Sequence, residues 1–313
     1  MPGELRPILL RTIDYLRSQQ LQTGDFPCFR TLEASFYCPC ILLSTLLHDA
    51  LGYLDPHTRL YQTCLSDLLS SQERRFITAT VTGMRFRLRT FIAWHEEQSG
   101  VWQLFGRESG LGPDAATTAC AAVTMFRTYP EERRAKNRHV PALDGFLNAQ
   151  LSLHEEANVL RFLALAGRDT NNRTSALAAK LTSEDTPIPD EAQILNFLSV
   201  AYSVARAWRQ AALPGRQELA NHLVPRIVAQ CQANAGIGTP LQYALAASAL
   251  ADLGCDPSSL FEIGMDLLPF FSASERWGSQ SFLNLEVGSA AVTMAIAISA
   301  LVRINAQTGG RFC

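Results

Sequence analysis

"IDYLRSQQLQTGDFPCF", residues 13–29, and "FIAWHEEQSGVWQLFG", residues 91–106, follow one plan: a helical run ending in Gln, then a Gly, then an aromatic within a few residues. A degenerate third copy, "LLPFFSASERWGSQSF", fills 267–282. Helix pairs closed by such a turn bury a continuous core only when neighbouring pairs stack. Copies near both ends of the chain favour a closed ring of paired helices over an open solenoid. An irregular all-α bundle is the alternative.

Working outward from these copies, apolar residues recur at helical spacing almost everywhere, and no strand pairs stand out. The spacing predicts helices over 4–20, 37–51, 57–71, 75–98, 114–128, 141–152, 155–167, 173–183, 190–211, 216–234, 239–254, 257–270 and 283–304. Segments 114–128, 155–167, 190–211 and 283–304 are apolar on most faces, as helices buried on both sides are, so inner positions are expected for them. The breakers between segments are short, and the stretch 183–191 is the most exposed candidate for a linker. The expectation is an all-α fold, a single (α/α)6-like toroid of about twelve helices over residues 1–313.

The chain has 313 residues, 47% of them hydrophobic, enough for a large core. With 27 Lys and Arg against 29 Asp and Glu, no global field draws nucleic acid or an anionic membrane, so any anion site is local. The eight cysteines show no repeated Cys-x-x-Cys pair and read as small buried hydrophobes of a reducing compartment. The N-terminus, broken by charge, lacks a signal-peptide core. The apolar run 287–302 is shorter than the ~20 residues of a membrane span. A cytoplasmic or membrane-peripheral location is expected.

The chemistry centres on "LFGRESGLGPDAATTACAAV", residues 104–123. With the helix, Gln, Gly and Trp before it, this stretch resembles the acid region of the class II terpene cyclases, whose motif is Asp-x-Asp-Asp/Thr-Thr/Ala. Phe105, Gly106, Pro113, Asp114, Thr117, Thr118, Ala119 and Cys120 fit it. "EANVLRFLAL" at 156–165, "AYSVARAW" at 201–208 and the ending from Arg276 resemble the family more weakly. The family's middle Asp donates the proton that starts cyclisation, and here that position is Ala116. Only a carboxyl kept neutral in a dry pocket protonates an alkene. Asp114 lies about 200° around the helix from 116, so it does not stand in; its role is either to orient the missing acid, with the Thr117 and Thr118 hydroxyls as partners, or to cap the helix. Three explanations compete: an acid-to-alanine variant made to hold uncyclised substrate, a natural prenyl-chain binder, or a false alignment. The intact flanks favour the first.

The resemblance implies protonation-initiated cyclisation of a linear prenyl substrate, a prenyl diphosphate or prenylated small molecule, in an acid-deficient form. One toroid's size points to C15–C20 chains and requires its own loops, a homo-oligomer or a partner to close the pocket. Aromatic faces must stabilise the carbocation, and Trp94, Trp102, Phe105, Phe126, Tyr202, Trp277 and Phe282 are the candidate wall, each with core packing as its alternative. His154 and Asn158, one turn apart, are candidates for the terminating polar pair. Arg206, among apolar neighbours, demands a partner if buried. Arg85, Arg87, Arg89 and Arg107 form a basic stretch that is either a diphosphate site or a solvated surface, with 85 and 89 on one helix face and 87 off it. No metal ligands are assigned; Mg2+ enters only if the substrate carries a diphosphate. A non-catalytic toroid binding prenyl chains or protein partners is the competing reading. A protein prenyltransferase β-subunit is disfavoured, because "LGCDPSS" at 253–259 has its Asp after its Cys and no downstream His.

Overall fold

The computed structural model describes residues 4–30, 33–37, 39–55, 68–105, 109, 111–128, 133–183, 194–272, 277, 282 and 287–312. These form an all-α fold. Its helices are α1 (Leu5–Gln19), α2 (Ile41–Gly52), α3 (Ser71–Trp94), α4 (Ala115–Thr128), α5 (Arg133–Phe146), α6 (Leu153–Leu165), α7 (Asn171–Thr182), α8 (Ile194–Ala211), α9 (Arg216–Ala233), α10 (Pro240–Leu253), α11 (Pro257–Leu267) and α12 (Ala290–Gln307), with a 3-10 turn at Leu268–Phe271.

Burial divides the helices into two sets. In α2 every residue from Ile41 to Leu51 is buried, in α10 every residue but Gln242, and in α12 every residue from Ala291 to Asn305. By contrast α1 and α3 bury one stripe each, Leu5, Ile8, Leu9, Ile13 and Leu16 in the first and Ile77, Val81, Met84, Leu88, Phe91 and Ile92 in the second. That is the pattern of helices with one wet face. Packing follows the same division: α2 contacts α4, α4 contacts α6, and so on through α8, α10 and α12, which returns to α2. The odd-numbered helices lie against this circuit, α5 across α4 and α6, α9 across α8 and α10, α11 across α10 and α12. The four segments expected inside are α4, α6, α8 and α12; α2 and α10 complete the circuit. α12 is long and apolar enough to cross a membrane, yet 83% of it is buried inside the protein.

The helix-Gln-Gly-aromatic copies are the turns that lead from α1 into α2 and from α3 into α4. Gly24 and Gly100 both have positive φ, and neither has room for a side chain: a Cβ on Gly24 meets the Arg87 carbonyl oxygen at 2.7 Å, and one on Gly100 meets Arg138 Cγ at 3.0 Å.

Three expectations are corrected. A small antiparallel sheet exists, in the order β2 (Glu33–Tyr37), β1 (Phe29–Arg30), β3 (Val287–Gly288), with strands too short to register as a sequence period. The helix expected from 141 starts at Arg133 and carries Pro141 inside it, so that proline is not a first-turn residue. The last helix begins at Ala290, capped by the Ser289 hydroxyl, rather than at 283. Most of the helix expected over 57–71 lies outside the described residues.

His139 of α5 fixes the turn before α4. Its Nδ1 lies 3.0 Å from the Gly100 carbonyl, and its ring sits between Trp102 and Phe162. Burial holds its pKa below the ordinary value, against the pull of the Gly100 carbonyl and Glu96. A depressed base stabilises the fold while neutral and withdraws that contribution as pH falls. The melting temperature is therefore expected to fall as pH drops from about 6.5, and His139→Gln to flatten that slope; an unchanged slope by calorimetry refutes the assignment.

Candidate functional site

Asp114 caps α4. Its Oδ1 accepts the Thr117 backbone N–H at 2.7 Å, while Oδ2, buried, has no hydrogen-bond partner among the described residues. Burial, aided by Glu155, raises its pKa, and the bonds from Thr117 act the other way. The hydroxyl partnership expected with Thr118 is absent: Thr118 Oγ1 accepts from the Trp102 N–H at 3.1 Å and donates to the Trp102 carbonyl at 3.3 Å. Thr117 is fully buried, and its side chain joins its backbone N–H in opposing the rise of the Asp114 pKa. Both threonines thus belong to the seating of the turn on α4, as does the cap.

Ala116 is 3% exposed. Four residues on, and so on the same face, Cys120 lies 3.3 Å from Asn158 Oδ1 and 3.4 Å from an Arg206 nitrogen. The face behind, Ala115, Ala119, Ala122 and Val123, packs into a cluster with Trp102, Leu143 and Phe162. Cys120 belongs instead to the main core, and Ala116 to neither apolar cluster. Position 116 therefore lies on the Cys120 side of α4, one turn toward the N-terminal end.

A polar network joins the even-numbered helices on that side of α4. Asp49 of α2 pairs with Arg161 of α6 and lies 3.4 Å from Nη1 of Arg206 on α8. Arg206 also donates to Asn158 at 2.8 Å and stands 5.2 Å from the Tyr202 ring. Desolvation opposes the charge on Arg206, but Cys120, Tyr202, Asp49 and Tyr53 outweigh it and raise its pKa. Burial pushes the Tyr202 hydroxyl up to about 12. In a second group Arg303 of α12 donates to Asp252 at 2.7 Å and Ser248 at 2.8 Å, both on α10, and lies 4.2 Å from the centre of the Tyr53 ring. The Tyr53 hydroxyl accepts from Gln210 at 2.8 Å. Arg161, Arg206 and Arg303 are all 2% exposed or less.

The expected site residues separate accordingly. Asn158, Tyr202 and Arg206 are brought together, and Phe282 meets Tyr202 edge-on at 6.3 Å. The partner that Arg206 required is present. Asn158 touches His154 only through the His154 carbonyl, at 2.9 Å, while the imidazole pairs with Ser152 Oγ at 3.0 Å; the expected side-chain pair is not formed. Trp277 packs with Phe270 and Phe271, and Phe105 lies partly buried against the main core. Three aromatics are corrected. Trp94 is 71% exposed at the end of α3, edge-on to His95. Trp102 and Phe126 belong to the cluster behind α4, Trp102 donating its indole N–H to the Ile92 carbonyl at 2.8 Å. Of the basic stretch, Arg85 pairs with Asp55 at 2.7 Å and Arg87 is exposed; Arg107 lies outside the described residues.

Sequence reasoning missed Asp49, Arg161, Asp252 and Arg303. Their signal was present: each interrupts an otherwise apolar helix, as in "LLHDAL" and "ASALADL", and a charge in such a place must be paired.

Compared with family models, curated proteins and solved structures, the chain has no match. The assignment of function therefore rests on geometry and on the acid-motif resemblance.

Two open clefts lie elsewhere. One of about 480 Å³ runs between α1 and α3, and one of about 340 Å³ is lined by Asp144, Leu147, Arg168 and Arg173 among others; neither includes an acid-motif residue. Among the described residues no three His, Cys, Asp or Glu side chains gather into a set that holds a metal ion, so Mg2+ finds no ligand set there.

Proposed function

We propose that the chain is a single (α/α)6-type toroid of the class II terpene cyclase kind, in acid-deficient form: its interior takes a linear prenyl chain of C15–C20 and lacks the proton donor that begins cyclisation. The closed circuit of even-numbered helices, flanked by the odd-numbered ones, supports the toroid. The observation that carries the functional reading is that Ala116, buried on the Cys120 stripe of α4, belongs to neither apolar cluster.

Among the described residues, the acids nearest this side of α4 do not replace the missing one. Asp49 and Asp252 face guanidinium groups, and Asp114 has one oxygen committed to the helix end. Tyr202, Phe282 and the Arg206–Asn158 pair supply what remains of a wall: π faces for a cation, and a polar floor that bounds the chain's depth. The same arrangement without turnover is a prenyl-chain binder, which Ala116 itself favours for the protein as it stands. Restoring the acid and analysing products separates the two.

A further inference from the structure

We propose that the outward face of α1 and α3 is a docking surface for a bilayer rich in anionic lipids; the inference is independent of the cyclase reading. Among the described residues six large hydrophobic side chains are exposed, and four of them, Tyr15, Phe76, Phe86 and Trp94, lie on these two helices. On α3 six of the exposed positions fall in one line. Phe76, Ala79, Gly83, Phe86, Thr90 and Trp94 fall within about 40° of a single direction at 100° per residue, opposite the buried stripe of Ile77, Val81, Met84 and Leu88. From Phe76 to Trp94 this line runs about 27 Å. A helix with an apolar stripe toward its own core and a second stripe toward water that carries Phe76, Phe86 and Trp94 is not explained by packing among the described residues.

The charge on the two helices is one-sided. α1 and α3 carry eight arginines, Arg6, Arg11, Arg17, Arg74, Arg75, Arg85, Arg87 and Arg89, against Asp14 and Glu73, in a protein whose net charge is -2. Arg6 is taken by Glu73 and Arg85 by Asp55. Arg11, Arg17, Arg75 and Arg87 form no ion pair among the described residues. Arg17 and Arg87 flank the 480 Å³ cleft, whose floor is Phe76, Ala79, Gly83 and Met84. A Cβ built on Gly83 meets nothing within 4 Å, so the cleft is open there. Apolar floor, cationic rim and a row of aromatics match a lipid surface: phosphate headgroups against the guanidinium forks, rings at the acyl boundary. A protein partner would need no such surplus of one sign. A nucleic acid would need the cations in line along a backbone, whereas here the aromatics hold the line and the arginines its sides.

Trp94 provides the readout, because the other tryptophans, Trp102, Trp208 and Trp277, are buried. The intact protein is mixed with extruded vesicles of phosphatidylcholine alone or with phosphatidylglycerol added, and followed by sedimentation and tryptophan emission. Binding and a blue shift are expected with the anionic vesicles only, weakening as salt shortens the Debye length. Each of Arg17→Glu and Arg87→Glu is expected to cut partitioning at least fivefold, on the order of one lost arginine contact. Phe86→Ser should weaken binding, and Trp94→Phe should abolish the shift while binding persists. These positions are exposed, so melting curves should match the unaltered protein. Equal binding to both vesicle types, no binding to either, retention of binding in the arginine variants, concentration-dependent dimerisation through Phe86 and Trp94 in place of lipid binding, or preference for an oligonucleotide over the vesicles each overturns the proposal.

Discussion

Ala116→Asp is expected to convert a linear C15 or C20 prenyl substrate into a cyclised product, where the alanine form gives none. The new carboxyl stands at the second position of α4, on the stripe that leads to Cys120 and Arg206. Two effects compete there. Desolvation among the even-numbered helices disfavours the carboxylate and raises its pKa, as it does for Asp114 two residues earlier. The helix N-terminus and the unpaired backbone N–H groups favour the carboxylate instead. Asp114 tips the balance, since its own charge at the cap answers the dipole and repels a second anion beside it. The carboxyl then stays protonated near neutral pH and donates to the terminal double bond. General acids in positioned sites contribute ~10²- to 10⁴-fold, and here the comparison is with no acid at all. Both forms are incubated side by side with prenyl diphosphates, prenylated arenes and free polyenes, and the products extracted and identified. Absence of cyclised product from the aspartate form across all three classes assigns the protein to binding.

The second large effect is on stability. Asp49→Asn removes the acidic partner shared by Arg161 and Arg206, which are 0% and 1% exposed. Breaking a buried pair from one side costs about 3–5 kcal/mol, because the opposite charge remains in a medium that cannot hydrate it. For a chain of this length that is roughly a 10 °C fall in melting temperature. Removing both signs together is a different experiment: Asp49→Leu with Arg161→Met and Arg206→Met leaves no stranded charge and is expected to melt close to the unaltered protein. Thermal and denaturant melts of the single and triple variants decide it. A single variant as stable as the parent means the aspartate contributes nothing to the interior.

The even-numbered helices were legible because burial on all sides leaves a run with few polar residues. The same property explains what was missed: "ILLSTLLHDALG" reads as plain core, and its aspartate, the hub of the network, is one letter in it. Nothing local announces that Asp49 meets Arg161 across 112 positions of sequence. The acid-motif segment was legible as a helix start, with Asp114 as its cap. Which aromatics face inward was not, since Trp94, Trp102 and Phe126 occupy helix ends and turns whose direction depends on the packing of neighbours. Strands of two residues fall below any period that a sequence can display.

β3 pairs with β1, Ser289 Oγ donates to the Pro27 carbonyl at 2.8 Å, and α12 lies against both α1 and α2. The first and last parts of the chain are thus bonded across some 260 positions. During synthesis at about 5–20 residues per second, α2 exists for many seconds beside a gap that only α12 fills. A nascent chain halted after α11 leaves α2 and α10 without the helix that both pack against. Cyclic order matters more to such a molecule than where its chain begins, so new termini placed in an exposed turn such as Gly236, with the old ends linked, should leave the last closure intact while moving it to a different pair of helices.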